Sequence, residues 1–244
     1  FCIAMRVKGE TPEEMAGFLD AIHQRLPRLA APERPLVVLP SYNGARKLPL
    51  LTPLLALLLA RQGLGVLVHG SATEERRASS ADVLAHLGVA PQQVLRTPAP
   101  GSVAYAPTAL LLPGLERLLQ VRRVLGLRNS GHTIAKILPV LPNALRVVNH
   151  THPEYAVSLT QYLSDSLACA VLMRGTEGEP VADARRQPRM QVFRDGRIDA
   201  EASLAPQDGV LVELPVLPAG IDAASTAAHL RAVRYGGLTN EAQR

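Results

Sequence analysis

The chain has 244 residues and a formal net charge of +5; it is 47% hydrophobic but only 3% aromatic, with no Trp. Its core must therefore be aliphatic, and its length suits one large α/β domain or a domain with a small lobe. The longest apolar stretch, Leu48 to Ala60, is broken by Pro49, Thr52 and Pro53 and is too short to cross a bilayer. A soluble protein is expected, with no membrane contact.

Phe1 to Val7 reads as a helix already under way, with no signal-peptide pattern before it, so the sequence is expected to be a piece of a longer chain, truncated at both ends. Thr11-Pro12-Glu13-Glu14 starts a helix running to about Leu26, with Thr as N-cap, Pro at the first position and acid near the positive dipole end. The proline-rich stretch Pro27 to Pro35 is a connector. Leu36 to Leu39 and Val66 to Val68 are short continuous apolar runs, the pattern of buried parallel strands. Between them Thr52-Pro53 starts a Leu-rich helix ending near Gly63. Ser79 and Asp82 form a capping box for a helix that Gly88 closes.

Pro98 to Pro107 reads as a loop and Pro113 to Leu125 as a helix. Leu145 to Val148 and Ala168 to Met173 are two more strands, separated by a helix from His152 to Asp165. Met190 to Phe193 with an Asp195-Gly196 turn, and Val210 to Leu214, read as peripheral β segments. Residues 222–233 read as helical. The alternation predicts an α/β fold, a mostly parallel sheet flanked by helices, with a small all-helical lobe. Residues 1–30 would form part of that lobe, with about 103–127 returning to it; 31–102 and 128–244 would form the α/β domain.

Charge is unevenly placed. Arg117 to Pro153 holds six basic residues and Arg34 to Thr73 four, and neither segment contains an acid. Together they carry +10, leaving −5 for the rest of the chain, an asymmetry that suits an anionic partner. Cys2 and Cys169, the only cysteines, lack the spacing of a zinc site or disulfide framework and fit a reducing cytoplasm.

Three segments follow strands, where open parallel sheets bind ligands. In the first, Ser41, Asn43 and Gly44 offer donors to a phosphate while Arg46 and Lys47 supply charge; an ordinary solvated turn is the competing reading. In the second, His69 leads a loop containing Arg76 and Arg77, and a lone His there is as readily structural. In the third, Arg122 falls on the apolar stripe of its helix beside Arg123, so it needs either an internal acid or an anionic ligand. Arg128, Asn129 and His132 then lead into a short helix carrying Lys136, a donor-rich entry that suits phosphate. The His150-Thr151-His152 stretch has no acid or Cys beside it and is read as capping the next helix, not as a metal site.

Ala81 to Gly88 (ADVLAHLG) and Arg122 to Arg128 (RRVLGLR) resemble the anthranilate phosphoribosyltransferases. Four further stretches, at 40–47, 128–136, 152–155 and 175–179, are similar to those of a divergent branch of that superfamily, the YbiB-type proteins: PSYNGARK, RNSGHTIAK, HPEY and GTEGE. The resemblance implies the phosphoribosyltransferase fold and a homodimer that binds DNA or RNA along a basic groove without base specificity. Against the enzymes' pattern, Ser41 to Arg46 replace a Gly-rich phosphate loop, Val68 stands where a phosphate-binding Lys is expected, and near Gly178-Glu179-Pro180 at best one carboxylate of a magnesium-holding pair survives. The departures imply that catalysis is lost and that no cofactor or metal is needed. The alternative they leave is an active phosphoribosyltransferase that uses phosphoribosyl diphosphate and magnesium on an aromatic or base-like acceptor.

Overall fold

The computed structural model describes residues 1–27, 29, 34–211 and 217–234. In chain order the elements are α1 (Cys2–Lys8), α2 (Pro12–His23), β1 (Leu36–Ser41), α3 (Thr52–Arg61), β2 (Gly65–Gly70), α4 (Ser80–His86), β3 (Val103–Pro107), α5 (Thr108–Leu111) and α6 (Pro113–Leu125). They continue as α7 (Gly131–Lys136), β4 (Leu145–His150), α8 (Pro153–Asp165), β5 (Ala170–Arg174), β6 (Met190–Arg194), β7 (Arg197–Leu204) and α9 (Ala223–Arg234).

The strands form one sheet in the order β3-β2-β1-β4-β5-β6-β7. The first five are parallel, and β6 and β7 extend the edge antiparallel. Every residue of β1 and β2 is buried because both faces are covered. Val37 and Leu39 meet Ala56 and Ala60 of α3 and Leu84 of α4 on one face. Leu36 and Val38, displaced by the strand's period of two, meet the layer holding Met15, Leu119, Ile134, Leu138 and Leu163 on the other. The expected α/β architecture, a mostly parallel sheet with flanking helices, is the one observed.

The expected N-cap at Thr11 and capping box at Ser79 both form, and Thr11 closes a full box as well. The Thr11 hydroxyl accepts from Glu14 N at 3.3 Å while the Glu14 carboxylate accepts from Thr11 N at 3.0 Å, and Ser79 and Asp82 repeat the exchange. Such a cap contributes about 1 kcal/mol. Burying Met15 to 1% exposure is worth about 2 kcal/mol, so packing fixes α2 more than its cap does. The helix lies against α7 and α8.

Two differences from the sequence expectation have physical causes. Val103–Pro107, expected in a loop and assigned to the part of the chain that returns to the helical lobe, is a strand of the sheet, paired with Val66–Gly70 of β2. Its sequence VAYAP has little β-branched content, so tertiary pairing, not local propensity, makes it a strand. The Asp195-Gly196 turn does connect a hairpin, but its second arm is Arg197–Leu204, a half-exposed edge strand with weak apolar alternation. Val210 and Leu211 are not in a strand, and the rest of the expected segment to Leu214 lies outside the described residues.

Candidate functional site

Chain order reverses between β1 and β4: from β1 the chain adds β2 and β3 on one side, then β4 and β5 on the other. A crevice is expected at the carboxyl ends of such a pair of strands. Here the two strands pair only at Val37 with Leu145 and Val38 with Arg146, whereas β1 and β2 pair at six positions. Beyond Val38 the neighbours diverge, which opens the crevice and lets Pro40, with no N–H to give, sit inside a central strand.

The loop after β1 is already occupied by carboxylates from the loop after β5. Glu179 Oε1 accepts from Asn43 N at 2.7 Å and Gly44 N at 3.0 Å; its Oε2 accepts from Ser41 Oγ at 2.5 Å and Thr52 Oγ1 at 2.8 Å. Glu179 is 3% exposed. Glu177 caps the outer half of the loop, accepting from Arg46 N at 3.0 Å and Lys47 N at 2.9 Å. The Asn43 amide donates to Gly178 O at 2.5 Å. Gly178 has φ +84, and a Cβ there would overlap the Asn43 side chain, so only glycine lets the two loops approach this closely. The donors of Ser41, Asn43 and Gly44 expected to hold a phosphate thus hold Glu179, while the side chains of Arg46 and Lys47 remain exposed.

The second segment also differs from expectation. His69 is in β2, not in a loop, and is 1% exposed. Its Nδ1 lies 2.7 Å from the Tyr42 hydroxyl, which accepts from Thr108 Oγ1 at 3.0 Å and has its own proton free for an unprotonated Nδ1. Burial pushes the His69 pKa down to about 3 and the Tyr42 pKa up. His69 is therefore a neutral core residue, out of a ligand's reach. Tyr42, 3% exposed, offers no ring for stacking.

Internal acids hold three of the expected anion-binding arginines. Arg122 pairs with Glu74 and donates to Thr73 Oγ1 at 3.2 Å. Arg77 pairs with the other oxygen of Glu74 and donates to Asn43 O at 3.2 Å. Arg123 meets Glu75 at 2.9 Å and the Ala72 carbonyl at 3.1 Å. Of the two possibilities open for Arg122, the counter-charge is the one present. Glu74 and Glu75 stand immediately after the acid-free segment that ends at Thr73, and Arg76 is exposed beside them.

Arg128 and Lys136 are different. Both are half-buried, and neither is within 4 Å of a carboxylate among the described residues. Burial, then Arg122 and Arg77, lowers the Arg128 pKa to about 10; burial, then Arg128, lowers that of Lys136 to about 8. His132 is pushed to about 3 by burial and then by Arg128 and Arg122. Asn129 is structural: its side chain donates to Leu118 O at 2.8 Å and accepts from Gly131 N at 3.0 Å.

Arg128, His132 and Lys136 line a cavity of about 410 Å³ with Asn149, His150, His152 and Tyr155. His132 Nε2, both Asn149 amide atoms and His150 Nδ1 are buried there without hydrogen-bond partners. His152 is the N-cap of α8, but its side chain makes no capping bond. Among the described residues no group of three or more His, Cys, Asp or Glu side chains is placed to hold a metal. Asn149 and Glu177 were not among the expected site residues, and Glu179 entered only as the place of a surviving carboxylate of the enzymes' magnesium-holding pair. The signal for both acids was their place in the Gly175–Glu179 stretch after a strand; Asn149 has no local signal.

A mostly parallel sheet with this crevice and these added helices is the anthranilate phosphoribosyltransferase fold. The chain superposes on the anthranilate phosphoribosyltransferase of Thermus thermophilus with a TM-score of 0.73 at 23% identity, covering 99% of this chain and 74% of that one. On the Saccharomyces cerevisiae enzyme in complex with PRPP and Mg the TM-score is 0.66 at 15% identity, covering 98% and 69%.

In sequence the chain is 38% identical over 206 residues to the Escherichia coli protein named "Uncharacterized protein YbiB", covering 80% of this chain and 63% of that protein. It is 25% identical over 222 residues to the anthranilate phosphoribosyltransferase of Streptomyces griseus, covering 89% and 62%. The chain thus spans a little under two thirds of the length of these two relatives. No family model matches it. The likenesses support the superfamily that the linear stretches implied. No described helix is long and apolar enough to cross a membrane.

Proposed function

We infer that the protein binds DNA or RNA without sequence specificity, holding backbone phosphates in the crevice on a phosphoribosyltransferase fold that no longer turns over phosphoribosyl diphosphate. The observation that carries this reading is the pair Arg128 and Lys136, kept half-buried without a carboxylate partner among the described residues beside unpartnered polar atoms. An unpaired, partly desolvated cation is costly, and like charges depress each other's pKa there; a bound phosphate relieves both. Arg46, Lys47 and Arg76 are exposed on neighbouring loops and extend the positive track. With Tyr42 buried, base stacking has no platform in these loops, which favours backbone contacts over base readout.

An electrophoretic shift with single- and double-stranded probes tests this reading, repeated with competing phosphoribosyl diphosphate. Binding to both probes is expected, with no specific displacement. Absence of binding at low salt would end the proposal.

The fold itself, shared with the enzyme solved with PRPP and Mg, favours a second reading as an active phosphoribosyltransferase. That reading asks Glu179 to leave the loop, since all four of its bonds go to loop and helix donors. As arranged, the acids do not fit a magnesium site. Turnover of anthranilate with phosphoribosyl diphosphate and magnesium at about 1 per second or more would establish it.

The cellular setting proposed is the cytoplasm, and the assembly a homodimer through the helical lobe. In α2, Met15 is buried and Phe18 packs against the core. Phe1, Ile3 and Val7 of the α1 region are exposed and supply the apolar face. Light scattering of the full-length protein should give twice the chain mass; a strict monomer would refute it.

A further inference from the structure

The chain from the end of β1 to the start of α3 has the donor set of an oxyanion cradle: two backbone N–H groups, at Asn43 and Gly44, and two hydroxyls, on Ser41 and Thr52, converge on one carboxylate. Convergent donors of this kind bind tetrahedral oxyanions. The carboxylate is that of Glu179, buried to 3% exposure, with no cationic group within 4 Å among the described residues. Hydrogen bonds, not an ion pair, hold it.

We propose that Glu179 is a built-in occupant of a latent phosphate site: its carboxylate takes the place of a phosphate oxyanion, keeps the cradle closed to inorganic phosphate and diphosphate, and leaves anions only the Arg128–Lys136 side of the crevice. The occupant is tethered by a four-residue turn, Gly175–Gly178, whose own geometry is locked: Glu179 N donates to Thr176 O at 2.9 Å, and Gly178 is pressed against Asn43. A group held in place by the fold competes at an effective concentration of millimolar or above, and free phosphate must displace it from solution. Glu179 thus selects which anions the crevice accepts, without itself touching them.

The proposal does not depend on nucleic-acid binding, and its test uses none. Inorganic phosphate and diphosphate are titrated by calorimetry into the protein and its Glu179→Ala and Glu179→Gln variants, each checked by a melting curve. Removing the side chain opens the cradle, so Glu179→Ala should bind diphosphate at least tenfold tighter than the wild type. Glu179→Gln refills the cradle with a neutral group, because the Ser41 and Thr52 hydroxyls can turn to accept from its amide, and should stay closed. If Glu179→Ala does not fold, Glu179→Ser takes its place. Independently of any variant, the amide resonances of Asn43 and Gly44 in the wild type should be unmoved by phosphate. Saturable movement of those two resonances, or a folded Ala or Ser variant that binds diphosphate no better than the wild type, would overturn the proposal.

Discussion

The loop after β1 and the cavity beside α7 flank the same crevice and have opposite electrostatic designs. In the loop the backbone N–H groups of Asn43, Gly44, Arg46 and Lys47 already meet Glu177 or Glu179. In the cavity, Arg128 and Lys136 have no acid partner among the described residues, and buried atoms of His132, Asn149 and His150 have no partner either. Positive charge alone therefore does not mark a binding site. Arg122 and Arg77 share Glu74 and belong to the structure, while Arg128, six residues after Arg122, is left with charge to spare.

The largest expected effect follows from that spare charge. If the free cations contact about three or four phosphates, affinity for any nucleic acid should fall roughly 10- to 100-fold between about 50 and 200 mM salt. Anisotropy titrations over a salt series read the slope; an affinity indifferent to salt would break the comparison.

Arg122→Ala should act on the paired side and not on the free one. It leaves Glu74 with Arg77 alone and empties a site 9% exposed, at a cost of about 2 kcal/mol, less than a fully buried pair because Glu74 is about a third exposed. Denaturant unfolding should show the loss while the folded variant keeps its nucleic-acid affinity and salt slope. A flattened slope would return Arg122 to the binding surface, the other of the two roles its sequence position left open.

Acid should loosen the fold before it affects the carboxylates. His69 and His132 have pKa values of about 3 when folded, below the usual unfolded value of about 6.5. Between these limits the unfolded chain binds protons that the folded chain refuses, so stability is lost as pH falls below about 6.5. The loss should reach on the order of 2–3 kcal/mol by about pH 5.5, roughly 1.4 kcal/mol from each ring, seen as a falling melting temperature and lessened in His132→Gln. A melting temperature flat over this range would contradict the burial of both rings.

The smallest effect is expected at Arg123. Its pair with Glu75 is exposed on both sides, and such pairs contribute about 0.5 kcal/mol or less. Arg123→Ala should leave stability and binding nearly unchanged.

Much of the fold was legible because its signals are local. The uninterrupted apolar runs at Leu36 and Val66 mark strands covered on both faces, and Thr11 and Ser79 mark helix starts through their own side chains. Val103–Pro107 was hidden because its strand character comes from β2, not from its own residues. In the site, the acid-free segments located the charge, and Arg128 and Lys136 stand without an acid partner among the described residues. Glu74 reaches Arg122 from 48 residues away, and Glu177 and Glu179 fill the loop from further still: Glu179 is 136 residues from Asn43. Such pairings are set by the sheet order, which no local pattern encodes. His69 shows the same limit, since only the fold reveals that Tyr42 and Thr108 enclose it.

The central claim is that anions are held by the unpaired cations beside α7 and not by the filled loop after β1. It is tested most directly in the Arg128→Ala/Lys136→Ala double variant, shown to be folded by its melting curve and titrated with one single-stranded and one double-stranded probe over a salt series. The account predicts weaker binding of both probes by similar factors and a salt slope reduced by about 1.4 to 1.8, the share of two phosphate contacts. A folded double variant with wild-type affinity and slope would contradict it.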